Sequence, residues 1–291
     1  MGRANIGTHC SPTPRLVRIG RVLALCAFTA TVLSSCGAQF AYNRLDWIAH
    51  YYLANQVTLD DTQSRALRSD LDTFFEWHRH SELPRYAGFL DRVANDAARP
   101  IEVARFEAGR REVEGFMRDS VTHAAPDTAR WLNGLRPEQI DELFASFAEK
   151  ERKAREEHCD ASLAERKEES AEKFIDNVED WTGKLDRTQR RLIKTRLASF
   201  DDDVCQTITT RERSRREFRE LIDRYRNRPE FAQRIAQFLA QPRGEAEDRD
   251  RLTKLLAEIN HSLTPEQRAR TIDRLRTQAK ALRSLSAEPS V

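Results

Sequence analysis

Leu185-Asp186-Arg187-Thr188-Gln189, followed by Arg190-Arg191-Leu192-Ile193-Lys194-Thr195-Arg196-Leu197, is the stretch from which the fold can be read. Asp186 is suited to cap free backbone amides, and Gln189, three residues on, can reach back to the cap. Leu192, Ile193, Leu197 and Phe200 then recur at helical spacing. This is the start of an amphipathic helix, and it occurs four times. The other copies are Leu59-Asp60-Asp61-Thr62-Gln63, Leu135-Arg136-Pro137-Glu138-Gln139 and Leu263-Thr264-Pro265-Glu266-Gln267. Pro137 and Pro265 take the first helical position, where a missing N–H costs nothing. Arg136 stands where a capping side chain belongs, so the second box is incomplete.

Apolar stripes follow the other starts too: Leu67, Leu71, Phe74 and Phe75; Ile140, Leu143, Phe144 and Phe147; and, more weakly, Ile272, Leu275 and Leu282. The leading leucines are 76, 50 and 78 residues apart, an alternation that points to an old duplication although the intervening residues do not align. No fixed period of about 20–50 residues runs through the chain, so a regular solenoid is unsupported. Further helices are expected at 40–55, 84–98, 101–123, 208–227, 229–240 and 245–260. The charge run 149–173 pairs Glu149 with Lys153 and Glu151 with Arg155 at helical spacing and reads as one long solvated helix leading to Trp181.

Composition agrees with helices. The 291 residues are 39% hydrophobic and 33% charged, with only 10 Gly and 10 Pro. That apolar share can build a core, and the few β-branched runs argue against sandwiches, barrels and βαβ units. The formal charge of +2 is misleading, because residues 1–35 hold four Arg and no acid, leaving 45 basic against 47 acidic residues beyond them. Bulk attraction to nucleic acid is not what this balance serves.

The N-terminus is the most specific segment. Arg15, Arg18 and Arg21 precede twelve uncharged, mostly apolar residues, 22–33. At about 1.5 Å per residue this run falls short of a bilayer core of about 30 Å, so it reads as a signal-peptide core. It ends in Leu33-Ser34-Ser35-Cys36-Gly37, which resembles the bacterial lipobox. The resemblance implies cleavage before Cys36, a thiol carrying diacylglycerol, further acylation such as palmitate, and, with Gly37 following, sorting to the outer membrane on its periplasmic side. Cys10 and Cys26 leave with the signal peptide and Cys36 is consumed by lipid, so Cys159 and Cys205 remain as one pair in an oxidising compartment. On straight antiparallel helices about the turn at 182–186, they differ by four residues of rise, about 6 Å, at the edge of disulfide reach. Two buried free thiols are the competing reading.

Chemistry-bearing residues concentrate in two places. In Trp77-His78-Arg79-His80-Ser81-Glu82-Leu83-Pro84-Arg85-Tyr86, His78, Arg79 and Glu82 share a helix face beside Trp77. The set suits a polar functional surface. A zinc site would need a further strong ligand, and none is near, so no metal is assigned. A plainer reading makes it a helix end, in which Pro84 stops the helix, Glu82 pairs with Arg79 and Trp77 packs. In Tyr42-Asn43-Arg44-Leu45-Asp46-Trp47, Asn43 and Asp46 can bridge or cap helices. Leu45, Ile48 and Tyr52 continue an apolar stripe that places Trp47 in the core; contact of these aromatics with a lipid interface is the competing reading. The stretch 211–228 holds eight Arg and four acids and reads as a helix with a solvated Arg-rich side, or one that meets anionic headgroups or polysaccharide. No GxSxG, HExxH, Walker loop or GxGxxG occurs, and nothing arranges Ser, His and Asp as a triad.

YNRLDW at 42–47, Tyr51 or Tyr52, VTLDDTQ at 57–63, WHRHSELPRY at 77–86 and EDWTGKLDRTQ at 179–189 resemble an uncharacterised family of helical proteobacterial lipoproteins. The likeness spans about 36–235 and implies an all-helical exported lipoprotein, with no catalytic residues to carry over. Leu263-Thr264-Pro265-Glu266-Gln267 also resembles the L-T-x-x-Q signature of small periplasmic helical chaperones and envelope-stress regulators; the other copies match only as L-x-x-x-Q.

The expectation is an all-α, irregular multi-helix bundle, with two subdomains divided near Gly183. Its parts are a cleaved leader (1–35), a lipidated tether (36–41), a helical domain (42–285) and a frayed tail (286–291). The expected role is a non-enzymatic envelope lipoprotein without cofactor or nucleic-acid partner. It would be held to the membrane through Cys36 and bind an envelope protein or an anionic surface. A chaperone-like holdase is the alternative, and a cell-wall or lipid hydrolase acting through 77–86 a more distant one.

Overall fold

The computed structural model describes residues 42–200, 204–241 and 246–288. The expected leader, Cys36, the tether up to 41, the acidic run 201–203 and residues 289–291 lie outside the described residues. Every regular element among those described is a helix: α1 (Leu45–Ala54), α2 (Asp61–Trp77), a π-helical turn (His78–Glu82), α3 (Leu83–Asp96), α4 (Val103–Gly134), α5 (Pro137–His158), α6 (Leu163–Thr182), α7 (Arg187–Ala198), α8 (Val204–Tyr225), α9 (Phe231–Leu239), α10 (Ala246–Ser262) and α11 (Pro265–Ala287). The fold is an all-α multi-helix bundle.

Each of the four L-x-x-x-Q segments starts a helix, and the starts meet in pairs. The Gln63 and Gln139 side-chain amides donate to each other, at 2.9 and 2.8 Å. Gln63 also donates to the Gly134 carbonyl and Gln139 to that of Thr58, the residues just before each other's leading leucine. Each Oε1 accepts in addition the backbone N–H of its own cap residue, Asp60 or Arg136. Gln189 and Gln267 repeat the arrangement: reciprocal amide bonds of 2.8 and 3.0 Å, donation to the carbonyls of Ser262 and Lys184, and acceptance from the N–H of Asp186 and Thr264. Both donors and both acceptor positions of all four amides are thereby used. Asp60, Asp186 and Thr264 complete their boxes from the side chain. At Arg136, a donor-only side chain, the N–H of Gln139 goes to the backbone carbonyl of Arg136, leaving half a box. The 76- and 78-residue intervals are therefore the separations of clasped partners.

Three apolar cores lie around these clasps. Ala125, Ala129, Leu132, Ile140, Leu143, Phe144, Ile222, Phe231 and Ile235 gather α4, α5, α8 and α9 beside the first. Ile175, Leu185, Ile193, Leu255 and Ile259 gather α6, α7 and α10 beside the second. Tyr42, Leu83, Ala87, Ala279, Leu282 and Leu285 join the start of the described chain to α3 and α11. Each fully buried Leu, Ile or Phe contributes about 1.5–3 kcal/mol.

Several expectations are corrected. The run 149–173 is two helices: α5 ends at His158, and Ser162 opens α6 with a capping box to Glu165. Three-quarters of the way along α4, Pro126 lacks the N–H that would bond the Thr122 carbonyl, yet the helix runs on to Gly134, because Ala125, Ala129 and Leu132 are buried on the first core. No cut near Gly183 separates two subdomains, since α8 and α9 return to the first core after α6 and α7 have built the second. Gly183 itself caps α6 at φ +83°, where any Cβ would be strained and would press on the Arg270 side chain. The last helix continues through Ala287, past the boundary expected for the tail.

α8 runs antiparallel to α5. Arg155 meets Glu212 (3.0 Å), Arg215 meets Glu151 (2.7 Å) and Arg219 meets Asp141 (2.7 Å), so part of the Arg-rich side is spent within the fold. At the open end of this pair Cys159 and Cys205 are bonded, with Cα atoms 5.8 Å apart. They thus join the end of α5 to the start of α8 rather than two arms about the 182–186 turn. In the chain-entropy description, closing this loop stabilises the fold by about 4 kcal/mol.

The clasp makes a quantitative prediction. Gln189→Ala and Gln267→Ala should each destabilise the protein by about 1–3 kcal/mol in urea unfolding, because each leaves a buried amide and a cap N–H unpaired. The double variant should cost less than the sum by about 0.5–3 kcal/mol. Strict additivity would mean that the two amides do not act on each other.

Candidate functional site

Pro84 sets the local backbone of the richest cluster. In an α-helix its ring would clash with the carbonyl four residues back, and it has no N–H to donate. The chain responds by widening rather than stopping. Residues His78–Glu82 form a π turn in which the Leu83 N–H reaches the His78 carbonyl, five residues earlier, and α3 follows at once. The expectation that Pro84 ends the helix is corrected accordingly.

The wide turn carries Arg79 and Glu82 inward, where they are 6% and 2% exposed. Arg79 does not pair with Glu82. Its guanidinium donates to the Leu285 carbonyl (3.0 Å) and to Asn43 Oδ1 (2.8 Å), and lies 4.9 Å over the Tyr42 ring. Asn43 in turn donates to Glu288 (3.2 Å), and His80 lies 3.1 Å from the Ser286 carbonyl. Glu82 accepts from Arg85 through Oε1 at 2.6 Å, and Arg85 also holds Asp119 at 2.7 Å. Glu82 Oε2 is buried without a hydrogen-bond partner.

His78 sits between two phenols. Nδ1 is 2.8 Å from the Tyr42 hydroxyl and Nε2 is 3.3 Å from that of Tyr86, which also lies 3.3 Å from Ser120 Oγ. A neutral imidazole has one donor and one acceptor nitrogen, so one phenol gives and the other receives. Burial pushes the His78 pKa down to about 4 and pushes that of the Tyr42 phenol up. Among the described residues no three His, Cys, Asp or Glu side chains come together in a way that would hold a metal ion.

The seven residues singled out in the two clusters are divided. Asn43, His78, Arg79 and Glu82 build this internal node, which fastens the beginning of the described chain to its end. Trp77 lies at its border, edge-on to the His78 ring at 6.4 Å, and stacks on His123 at 3.7 Å beside a shallow opening lined by Asp119, Thr122, Pro126 and Asp127. Asp46 lies on the face of α1 turned to α2, close to Asp72; partial burial and the Asp46 charge raise the Asp72 pKa. Trp47 is not in the core: it is 48% exposed. Tyr42, Tyr86 and the carbonyls of Leu285 and Ser286 complete the node. Tyr86 was readable at the end of WHRHSELPRY, whereas nothing in the local pattern announces a carbonyl more than 200 residues away.

The node predicts an acid-sensitive term in stability. His78 is neutral in the fold down to about pH 4, while in the unfolded chain it takes up a proton near 6.5. Its contribution is therefore complete above 6.5 and is lost as the pH falls from there toward 4. In urea unfolding the native protein should lose about 1–2 kcal/mol more than His78→Asn between about pH 7.5 and pH 5. Identical pH dependence in the two proteins would show that His78 is not held neutral.

No curated protein and no solved structure matches the chain. One family profile does, across residues 55–251, and it covers the first clasp, the π turn, the disulfide and one member of the second clasp. The chain belongs to that family, a family of unknown function (DUF6279).

Proposed function

We propose that this protein is a non-enzymatic lipoprotein of the cell envelope. In this reading it is anchored through an acylated Cys36 to the outer membrane, faces the periplasm and binds another envelope component. The observation that carries the reading is the order of basic segment, short apolar run and Leu33-Ser34-Ser35-Cys36-Gly37, with the helical domain beginning six residues later at Tyr42. Several acyl chains on one residue supply the multi-chain anchoring that a single chain cannot. A bonded Cys159–Cys205 pair suits an oxidising compartment. Among the described residues no helix is long and apolar enough to cross a membrane, so in this reading attachment rests on the lipid.

The titratable cluster at 77–86 lends little support to chemistry. The His78 imidazole is enclosed by two phenols, the buried Arg79 guanidinium is engaged with Asn43 and the end of α11, and Glu82 is held through one oxygen by Arg85. The L-x-x-x-Q segments, which suggested a holdase, use their glutamines on one another, and Leu135 and Leu185 are buried. The shared signature is accounted for by helix starts, and the holdase reading loses its main support.

Expressed in a Gram-negative host, the native protein should partition into the detergent phase, and its N-terminal peptide should begin at a Cys36 carrying diacylglycerol and acyl mass. Cys36→Ala should accumulate as full-length precursor. A Cys36→Ala protein that is cleaved and membrane-bound like the native one would refute the anchor.

A further inference from the structure

α1 carries large aromatics that the fold leaves uncovered. Trp47 is 48%, Ile48 41%, Tyr51 59% and Tyr52 39% exposed, and no residue of the helix is fully buried. Positions 47, 48, 51 and 52 are one, four and five residues apart, which puts all four side chains on one face. The face is ordered. Trp47 and Tyr51 stack with ring centroids 5.5 Å apart, and the Lys150 ammonium lies 4.3 Å from the centre of the Tyr52 ring. The helix is fixed to α2 from another side, where His50 Nε2 meets Ser64 at 3.0 Å. A patch of Trp, Ile and two Tyr on an otherwise charged protein marks an interaction surface.

Its position identifies the occupant. Tyr42 follows Cys36 by only six residues, so at about 3.3–3.6 Å per residue it lies no more than about 22 Å of chain from the lipidated position. Tyr42 is itself buried among α3 and α11, so the folded domain begins at that point of the chain. Trp47 follows by five residues, little more than one helical turn. Trp and Tyr are the side chains that prefer the boundary of a bilayer, with the ring among the upper acyl carbons and the polar edge in water, and a lysine beside them suits phospholipid headgroups.

We infer that the Trp47–Ile48–Tyr51–Tyr52 face of α1 seats the domain on the phospholipid surface to which Cys36 is attached, lying in the interface rather than crossing it. The inference rests on the lipoprotein reading above. It adds an orientation, because the membrane-facing side is then α1.

The test uses the mature, lipidated protein reconstituted in vesicles of phosphatidylethanolamine and phosphatidylglycerol brominated high on the acyl chains, with tryptophan fluorescence read against unbrominated vesicles. Native protein should show at least twofold greater fractional quenching than Trp47→Phe. Adding Tyr51→Trp to Trp47→Phe should restore the quenching, and both variants should melt like the native protein because the replaced rings are exposed. Equal quenching of native protein and Trp47→Phe, in samples whose N-terminal peptide carries lipid by mass spectrometry, would overturn the seating while leaving the anchor intact. A peptide without lipid at Cys36 would overturn the anchor and the seating together. Protection of the face by a second copy would also give equal quenching and count against the inference.

Discussion

A primary amide can give two hydrogen bonds and take two, and the architecture depends on four glutamines that do all of this at helix starts. Helix N-termini normally satisfy their free amides locally or with water. Here each Gln closes its own cap with one acceptor position and turns its remaining capacity toward a second helix start that does the same. The result fixes the relative placement of α2 with α5 and of α7 with α11, segments 76 and 78 residues apart. Helix packing through Leu and Ile is tolerant of sliding, whereas four directional bonds per pair are not. Gln139, Gln189 and Gln267 are buried, so the loss of one partner is felt in full by the other.

The second constraint is the closure of the chain on itself. Arg79, displaced inward by the π turn that Pro84 requires, donates to the end of α11 and to Asn43 at the beginning of the described chain. The turn therefore couples the region nearest the proposed anchor to the last helix, and α11 packs along α3 beside it. A buried guanidinium, a neutral imidazole between phenols and an apolar core of Tyr42, Leu83 and Leu285 hold the two ends of the described chain together.

Helices, starts and stripes were readable because they are local. Asp60, Asp186 and Thr264 cap as their side chains dictate, and Arg136 fails to cap for the same reason. What the sequence concealed is long-range or is decided by packing. The pairing of the L-x-x-x-Q segments follows from geometry across more than 70 residues, although the alternating intervals carried a trace of it. Pro126 argues for a break that burial of Ala125, Ala129 and Leu132 overrides. Charge periodicity through 149–173 hid the Ser162 cap, because Glu165 serves equally as a capping partner and as one more surface acid. Trp47 was misplaced since Leu45, Ile48 and Tyr52 make a stripe without saying what covers it. In the candidate site the residue types were visible, but Arg79 pairing with a carbonyl at the far end of the chain was not.

The central claim, that paired glutamine clasps hold this fold together, is tested most directly by amide hydrogen exchange on the full-length native protein. The backbone N–H groups of Asp60, Arg136, Asp186 and Thr264 precede their helices and would exchange quickly if they only faced water. Bonded to the clasped glutamines, they should instead exchange as slowly as the core of α5 and α11, and in each pair both partners should slow alike. Rapid exchange at these four positions while the helix interiors stay protected would contradict the account.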